Sequence, residues 1–448
     1  MDEDWLLYSV TSFTFAVIFF FCYIRHVFTF FERNKIPRPV HPTFPFGNVY
    51  NVIRKRTSMF MQLWAFYSRF KRKKCTFGGF YIFLKPAVLV VDVQLIGRIF
   101  RDNENSCFKD VCGDARSVYN FNNFNTELST RLLNKISDSI EQIWLRLLPN
   151  FSDEEEVNFS DIIKNKFTIL VLKDFFNVKY DFYDLESKNA FSIFQKLFTI
   201  SYPHFGSFLK TDDIDTKMST LDARKEEIKN KYIWQTLEKE GFSDEEIKLC
   251  IFCLVKALRK INNTLLFTLY ELSIDEEVQT DLRAEVARFK KSNSTVTYQD
   301  LSELEYLETV VCEILRKYPT EPFVYKICER DYSKNDVQFP KNMLIFASIF
   351  GIHHDDRAYI NPELFDPDRF CKENLKFVDS TKYLPFGFKD ENDFGILYLK
   401  LIVKATLVEL LSRFKFSLSK KSPKTIQFNE ANFTNLELAE DVWLNLCV

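Results

Sequence analysis

The chain has 448 residues, 46% hydrophobic with 49 Phe and only 10 Gly, which is material for a large core of mostly helical texture. Its 60 Lys and Arg nearly balance 62 Asp and Glu for a formal charge of -2, and no basic cluster alternates with stacking aromatics, so nucleic-acid binding is set aside. The 10 Cys lack a repeated pair spacing and read as reduced core residues; the single CxxC, Cys250 and Cys253, has no second pair to complete a zinc site.

Trp5 to Ile24, WLLYSVTSFTFAVIFFFCYI, carries no charge and is long enough to cross a hydrocarbon core of about 30 Å as a helix. Asp2, Glu3 and Asp4 precede it, while Arg25, His26, Arg33 and Lys35 follow. The positive-inside rule therefore puts the rest of the chain in the cytosol. An acidic start and the lack of a small-residue cleavage site favour an uncleaved transmembrane anchor over residues 1–24. Residues 25–47 form a basic, proline-rich linker in which Pro37, Pro39, Pro42 and Pro45 forbid helix and impose a stiff, extended path to Gly47.

FYIFLKPAVLVVDV, residues 80–93, holds two runs of β-branched and aromatic residues broken at Lys85-Pro86, a hairpin signal. Helical periodicity follows. Residues 243–272 predict one long helix, and SIDEEVQTDLRAEVARF predicts another, with Ser273 and Glu276 spaced as a capping box. TYQDLSELEYLETVVCEILRKYP predicts a third, stopped by Pro319, and a last helix runs to about Arg413. Without repeats or low-complexity linkers, residues 48–448 read as one mainly α domain with a small β-sheet region.

Three motifs in fixed order say more. Glu313-Ile314-Leu315-Arg316 is an ExxR inside a helix, Phe365 to Phe370 is an FxPxRF, and Pro385-Phe386-Gly387 opens the stretch YLPFGFKDENDFGILYLK. With the anchor, the proline hinge and IHHDDRAYINPELFDPDRF, the chain resembles a microsomal cytochrome P450 of the insect xenobiotic type over nearly its whole length. The resemblance implies the cytochrome P450 fold and a cytosol-facing domain on the endoplasmic reticulum membrane. It also implies haem on a Cys thiolate, and monooxygenation of small apolar substrates with electrons from an NADPH-dependent reductase. Glu313 and Arg316 share a helix face, and Arg369 is expected to join them in a buried ion cluster that maintains the architecture. His353-His354-Asp355-Asp356 reads as a structural turn, because adjacent loop residues rarely converge on one metal ion.

The chemistry-bearing positions depart from that family. Laid on its FGxGxRxCxG loop, Phe386, Gly387 and Gly395 match, but Lys389 replaces a Gly, Glu391 replaces the propionate-pairing Arg, and Asp393 replaces the Cys ligand. A carboxylate is a harder, weaker donor to haem iron than a thiolate. Glu391 would repel a propionate about 4 Å away by around 4 kcal/mol at an effective dielectric of about 20. Lys326 stands where a second propionate-binding Arg is expected and keeps the charge without the fork. On the oxygen-side helix, the acid and Thr that deliver protons have become Arg259 and Lys260, within Lys256-Ala257-Leu258-Arg259-Lys260. The family's WxxxR helix keeps Arg131 but has Glu127 in place of Trp.

The leading reading is a membrane-anchored homologue impaired or inactive as a haem-thiolate monooxygenase, with haem weak or absent. Such a pseudoenzyme would be retained to bind a small apolar ligand or a partner. An active monooxygenase with Asp393 or water at the iron is the alternative, and a decaying gene copy is a third. In the family, loop and oxygen-side helix lie on opposite faces of the haem, which raises the hypothesis that Arg259 or Lys260 pairs with Asp393 or Glu391; the alternative is that these acids point outward to solvent and the basic residues pair with some other carboxylate.

Overall fold

The computed structural model describes residues 2–101, 107–110, 126–151, 155–176, 229–292, 296–334, 337–389, 392–432 and 435–447. In chain order the main elements are α1 (Asp2–Phe28), α2 (Met59–Arg72), β1 (Phe77–Ile82), β2 (Lys85–Val90), α3 (Val93–Phe100), β3 (Phe108–Asp110), α4 (Thr126–Leu147), β4 (Glu156–Asn158) and α5 (Asp244–Ile274). There follow α6 (Glu276–Ser292), α7 (Glu305–Lys317), β5 (Val324–Cys328), β6 (Tyr332–Lys334), β7 (Val337–Phe339), β8 (Leu344–Ala347), α8 (Phe394–Leu411), β9 (Lys415–Leu418) and β10 (Trp443–Cys447). The fold is mostly helical with small sheets. The chain divides into two compact units, residues 1–111 with 323–351 and residues 112–322 with 352–448.

The first unit is built on a five-stranded sheet in the order β1-β2-β8-β5-β3. Its first pair is the hairpin that Lys85-Pro86 signals, with Ile82 opposite Lys85. Residues 87–90 of β2 and all of β8 are buried, as fits strands paired in parallel at the middle of a sheet. The segment after α1 lies on this hairpin. Gly79 donates its N–H to the Pro37 carbonyl at 2.7 Å, and the Tyr81 hydroxyl donates to the Val27 carbonyl at 3.0 Å. A Cβ at Gly79 would sit 2.3 Å from the Phe31 ring, so only glycine admits that approach. Helix α1 runs past residue 24 to Phe28; its window Val10–Phe28 is apolar and none of it is buried, with Phe13 and Phe19 72% and 75% exposed.

The second unit centres on α5 and α8. Helix α8 is apolar on every side and buried along nearly its whole length, the pattern of a helix enclosed by others. It lies against α4 and α5, with Trp144 Nε1 donating to Thr406 Oγ1 at 3.0 Å. A three-stranded sheet in the order β4-β10-β9 completes the unit.

Two expectations about helix ends are corrected. The capping box of this region belongs to α5, where the Ser243 hydroxyl accepts from the Glu246 N–H and Glu246 Oε2 accepts from the Ser243 N–H at 2.8 Å. Ser273 instead lies in the last turn of α5, its hydroxyl donating to the Tyr270 carbonyl at 2.7 Å. Asp275 initiates α6 by accepting from the Val278 N–H at 3.1 Å. The apolar face through Leu265, Leu269 and Leu272 carries α5 over the Ser273 signal, since burial outweighs one cap. The run 298–319 is likewise two helices, Tyr298–Ser302 and α7. Glu285 opens α7, its carboxylate accepting from the N–H groups of Tyr306 and Leu307 at 2.9 Å each.

Candidate functional site

Helix α7 holds the residues of the ExxR motif on its buried face. Arg316 is fully enclosed and forks onto Glu313 through Nε at 2.7 Å and Nη2 at 2.9 Å, both side chains having 0% exposure. Its remaining donors reach the carbonyls of His353 at 2.9 Å, Pro362 at 2.7 Å and Leu364 at 3.3 Å. Arg369, in the short 3-10 turn Pro367–Phe370, closes on Glu313 at 3.4 Å, and the Asp366 N–H adds a bond at 3.0 Å. The structure thus brings Glu313, Arg316 and Arg369 together. Burial dominates at Glu313 and holds its carboxyl above the ordinary range in spite of the two guanidinium groups.

His353 links this cluster to the loop after it. One ring nitrogen, Nδ1, lies 2.8 Å from the Arg316 carbonyl, and Nε2 accepts the Leu384 N–H at 2.9 Å. This pairing fixes the neutral tautomer with its proton on Nδ1. Burial, aided by the Arg316 charge, lowers the imidazole to about 3. Both nitrogens are therefore committed, and among the described residues no group of three or more His, Cys, Asp or Glu could hold a metal ion.

The loop itself is pinned at its start and at its end. The Pro385 carbonyl accepts from the Thr320 hydroxyl at 2.9 Å and from the Glu321 N–H at 3.2 Å. Gly387 turns at φ 71, a left-handed conformation that suits glycine. Lys389 is exposed, and Asp390 and Glu391 lie outside the described residues. Asp393 is the N-cap of α8, its Oδ1 accepting from the N–H of Gly395 at 2.9 Å and of Ile396 at 3.3 Å. That is a favourable place for a carboxylate, since the helix N-terminus presents unpaired N–H groups and a positive dipole end.

The centre of α5 brings the other candidate residues. Lys260 Nζ pairs with Glu321 at 2.5 Å, side-chain exposures 26% and 11%. Arg259 pairs with Glu437 at 2.8 Å, exposures 21% and 18%, and Glu437 also accepts from Asn432 Nδ2 at 2.7 Å. One turn on, Asn263 Nδ2 donates to the Leu436 carbonyl at 2.6 Å. Burial raises the Glu437 carboxyl, but Arg259, Asn432 and Lys164 together outweigh it and the net shift is downward. Lys256 is exposed, with Nζ 4.9 Å from the centre of the Phe252 ring. The expected bridge from Arg259 or Lys260 to Asp393 is not formed, because Asp393 is turned onto α8; the same bridge to Glu391 lies outside the described residues.

Two further candidate positions have other partners. Arg131 is 45% exposed on α4 and shared between Glu127 and Glu240, at 3.0 Å each, so its partners are surface carboxylates rather than loop residues. Lys326 belongs to the first unit, buried on β5 with Nζ 3.3 Å from the Phe100 carbonyl. Sequence reasoning did not single out Glu321 or Glu437. A signal existed for Glu321, an acid set between Pro319 and Pro322 in an otherwise apolar approach to β5. Nothing local marks Glu437.

Against known proteins, the family model described as Cytochrome P450 matches residues 150–440. Cytochrome P450 6k1 of Blattella germanica is 25% identical over 476 aligned positions, covering 90% of each chain. Probable cytochrome P450 6a23 of Drosophila melanogaster is 25% identical with 94% of this chain and 95% of the relative covered. Probable cytochrome P450 6a13 of the same fly is 37% identical over 49% of this chain and 47% of its own length.

Proposed function

The chain belongs to the cytochrome P450 family, and we propose that within it this protein is a membrane-anchored member without haem-thiolate monooxygenase activity, a pseudoenzyme on the cytosolic side of the endoplasmic reticulum membrane. One observation carries the reading. At the ligand position stands Asp393, and its carboxylate is engaged by the Gly395 and Ile396 amides at the start of α8. The residues present do not fit a haem-thiolate centre: the donor is hard oxygen rather than soft sulfur, and it is already hydrogen-bonded within the protein. The proton-delivery positions support the same conclusion, since Arg259 and Lys260 are held by Glu437 and Glu321 and neither is an acid or a hydroxyl. The exposed apolar helix α1, with Arg25 and His26 in its last turn, supports the anchor and its orientation.

What such a chain keeps is the family's architecture, through Glu313, Arg316 and Arg369, and with it the capacity to engage a small apolar ligand or a protein partner. Expression of the full-length chain in cells supplied with a haem precursor tests the reading. Purified in detergent, reduced and exposed to carbon monoxide, it is expected to lack the absorption band of a thiolate-ligated haem. Appearance of that band would overturn the proposal. Asp393→Cys alone is expected to leave turnover at background, because Arg259 and Lys260 still cannot relay protons.

A further inference from the structure

The centre of α5 is bound to two segments far away in the chain. Lys260 reaches Glu321, whose own N–H, with the neighbouring Thr320 hydroxyl, holds the Pro385 carbonyl at the start of the loop. Arg259 reaches Glu437, and Asn263 holds the Leu436 carbonyl next to it. These contacts join residues separated by 61, 178 and 173 positions. Each therefore closes a long loop, and holding it closed opposes a substantial chain entropy. Exposures between 11% and 26% keep the pairs partly out of water, where screening is weaker than at an open surface.

In a cofactor protein the cofactor itself holds such segments to the central helix, and its loss leaves opposed apolar walls with nothing between them. Here the positions that would face a cofactor carry long cationic side chains matched to carboxylates on the facing segments. We infer that Lys260–Glu321 and Arg259–Glu437 form a permanent internal clamp that performs the structural task of the missing prosthetic group, so that this chain reaches its fully packed state as an apoprotein. The inference rests on the reading that haem-thiolate ligation has been lost, but its test is separate. Lys260 and Arg259 become positioning residues for the loop and for the C-terminal segment.

The test uses the full-length chain in detergent, with hemin as the probe. Without hemin, the wild type is expected to melt cooperatively and to show the near-ultraviolet dichroism of fixed aromatic side chains, and neither property should change on adding hemin. A melt that becomes cooperative only with hemin would overturn the inference. Lys260→Ala and Glu321→Ala should each lower the melting temperature by ~5 °C, taking the cost of an unpaired, partly buried charge and the size dependence of melting entropy together. The double variant should fall no further than the single ones, and Lys260→Glu with Glu321→Lys should recover most of the loss. Additive losses, or no loss, would remove the clamp. If the single variants fail to fold, the charge-swapped protein decides: its folding supports the clamp and its failure overturns it. A thiolate-type carbon monoxide band would instead strike at the preceding proposal, and the double-variant cycle would still report on the clamp by itself.

Discussion

Replacing Arg316 with Ala removes the most heavily engaged side chain described here. Five hydrogen bonds are lost at once: two to Glu313 and one each to the carbonyls of His353, Pro362 and Leu364. Glu313 is left with the Asp366 N–H and with Arg369 at 3.4 Å, too long to replace a fork. Removing one partner of a buried pair costs about 3 to 5 kcal/mol, and the orphaned carbonyls add about 1 kcal/mol or more each unless water follows. We therefore expect a loss of about 5 kcal/mol where water satisfies the carbonyls and a larger one where it does not, comparable to the whole stability of many proteins. Denaturant unfolding of the full-length protein in detergent, followed by tryptophan fluorescence, measures it. The deficit should narrow as pH falls from 7 to 5. Burial already raises Glu313, so its folded state favours the protonated form, and without the guanidinium a protonated carboxyl is the cheaper species. A variant with Glu313→Gln and Arg316→Met, which leaves no unpaired charge, should be less destabilised than Arg316→Ala alone. A loss below about 1 kcal/mol for Arg316→Ala would refute this account of the cluster.

His353 gives the protein an acid-sensitive window. Its folded-state value, about 3, lies below the ordinary 6.5, so the unfolded chain binds the proton first and stability should fall as pH drops from 6.5 toward 3, by up to ~1.4 kcal/mol per unit; His353→Gln should flatten that slope in denaturation curves taken between pH 6.5 and 5. Asp393→Ala should cost about 1 kcal/mol through loss of the cap on α8, and Asp393→Asn much less, as read by thermal unfolding; equal losses would show that capping is not what the side chain contributes.

Much of the frame was legible because it is written in local patterns. The hairpin at Lys85-Pro86, the long α5 and the ExxR helix follow from periodicity and turn residues, while the expectation of Arg369 near Glu313 came from the family resemblance that ExxR and FxPxRF carry. Helix ends were less legible. Ser273 and Glu276 have the spacing of a capping box, yet the buried face of α5 runs through them, and tertiary burial decides such cases. The site was half legible. Asp393 could be located from the loop, but that its carboxylate turns onto α8 depends on backbone geometry at Gly395 and Ile396. The partners of Arg259 and Lys260 are far off in sequence, and no local pattern could nominate Glu437.

The contact between the end of α1 and the first sheet would set the mechanical behaviour of the proposed anchor. The Val27 carbonyl is held by Tyr81, the Phe28 and Phe31 rings meet the Tyr81 ring with centroids 5.1 and 4.8 Å apart, and the Pro37 carbonyl is held by Gly79. Helix and hairpin are thus joined by several contacts. A bilayer that thins or thickens changes the preferred inclination of an apolar helix. With α1 as the proposed anchor, the hairpin would follow that inclination, and the membrane would act on the sheet as a hand acts on a tool through its handle.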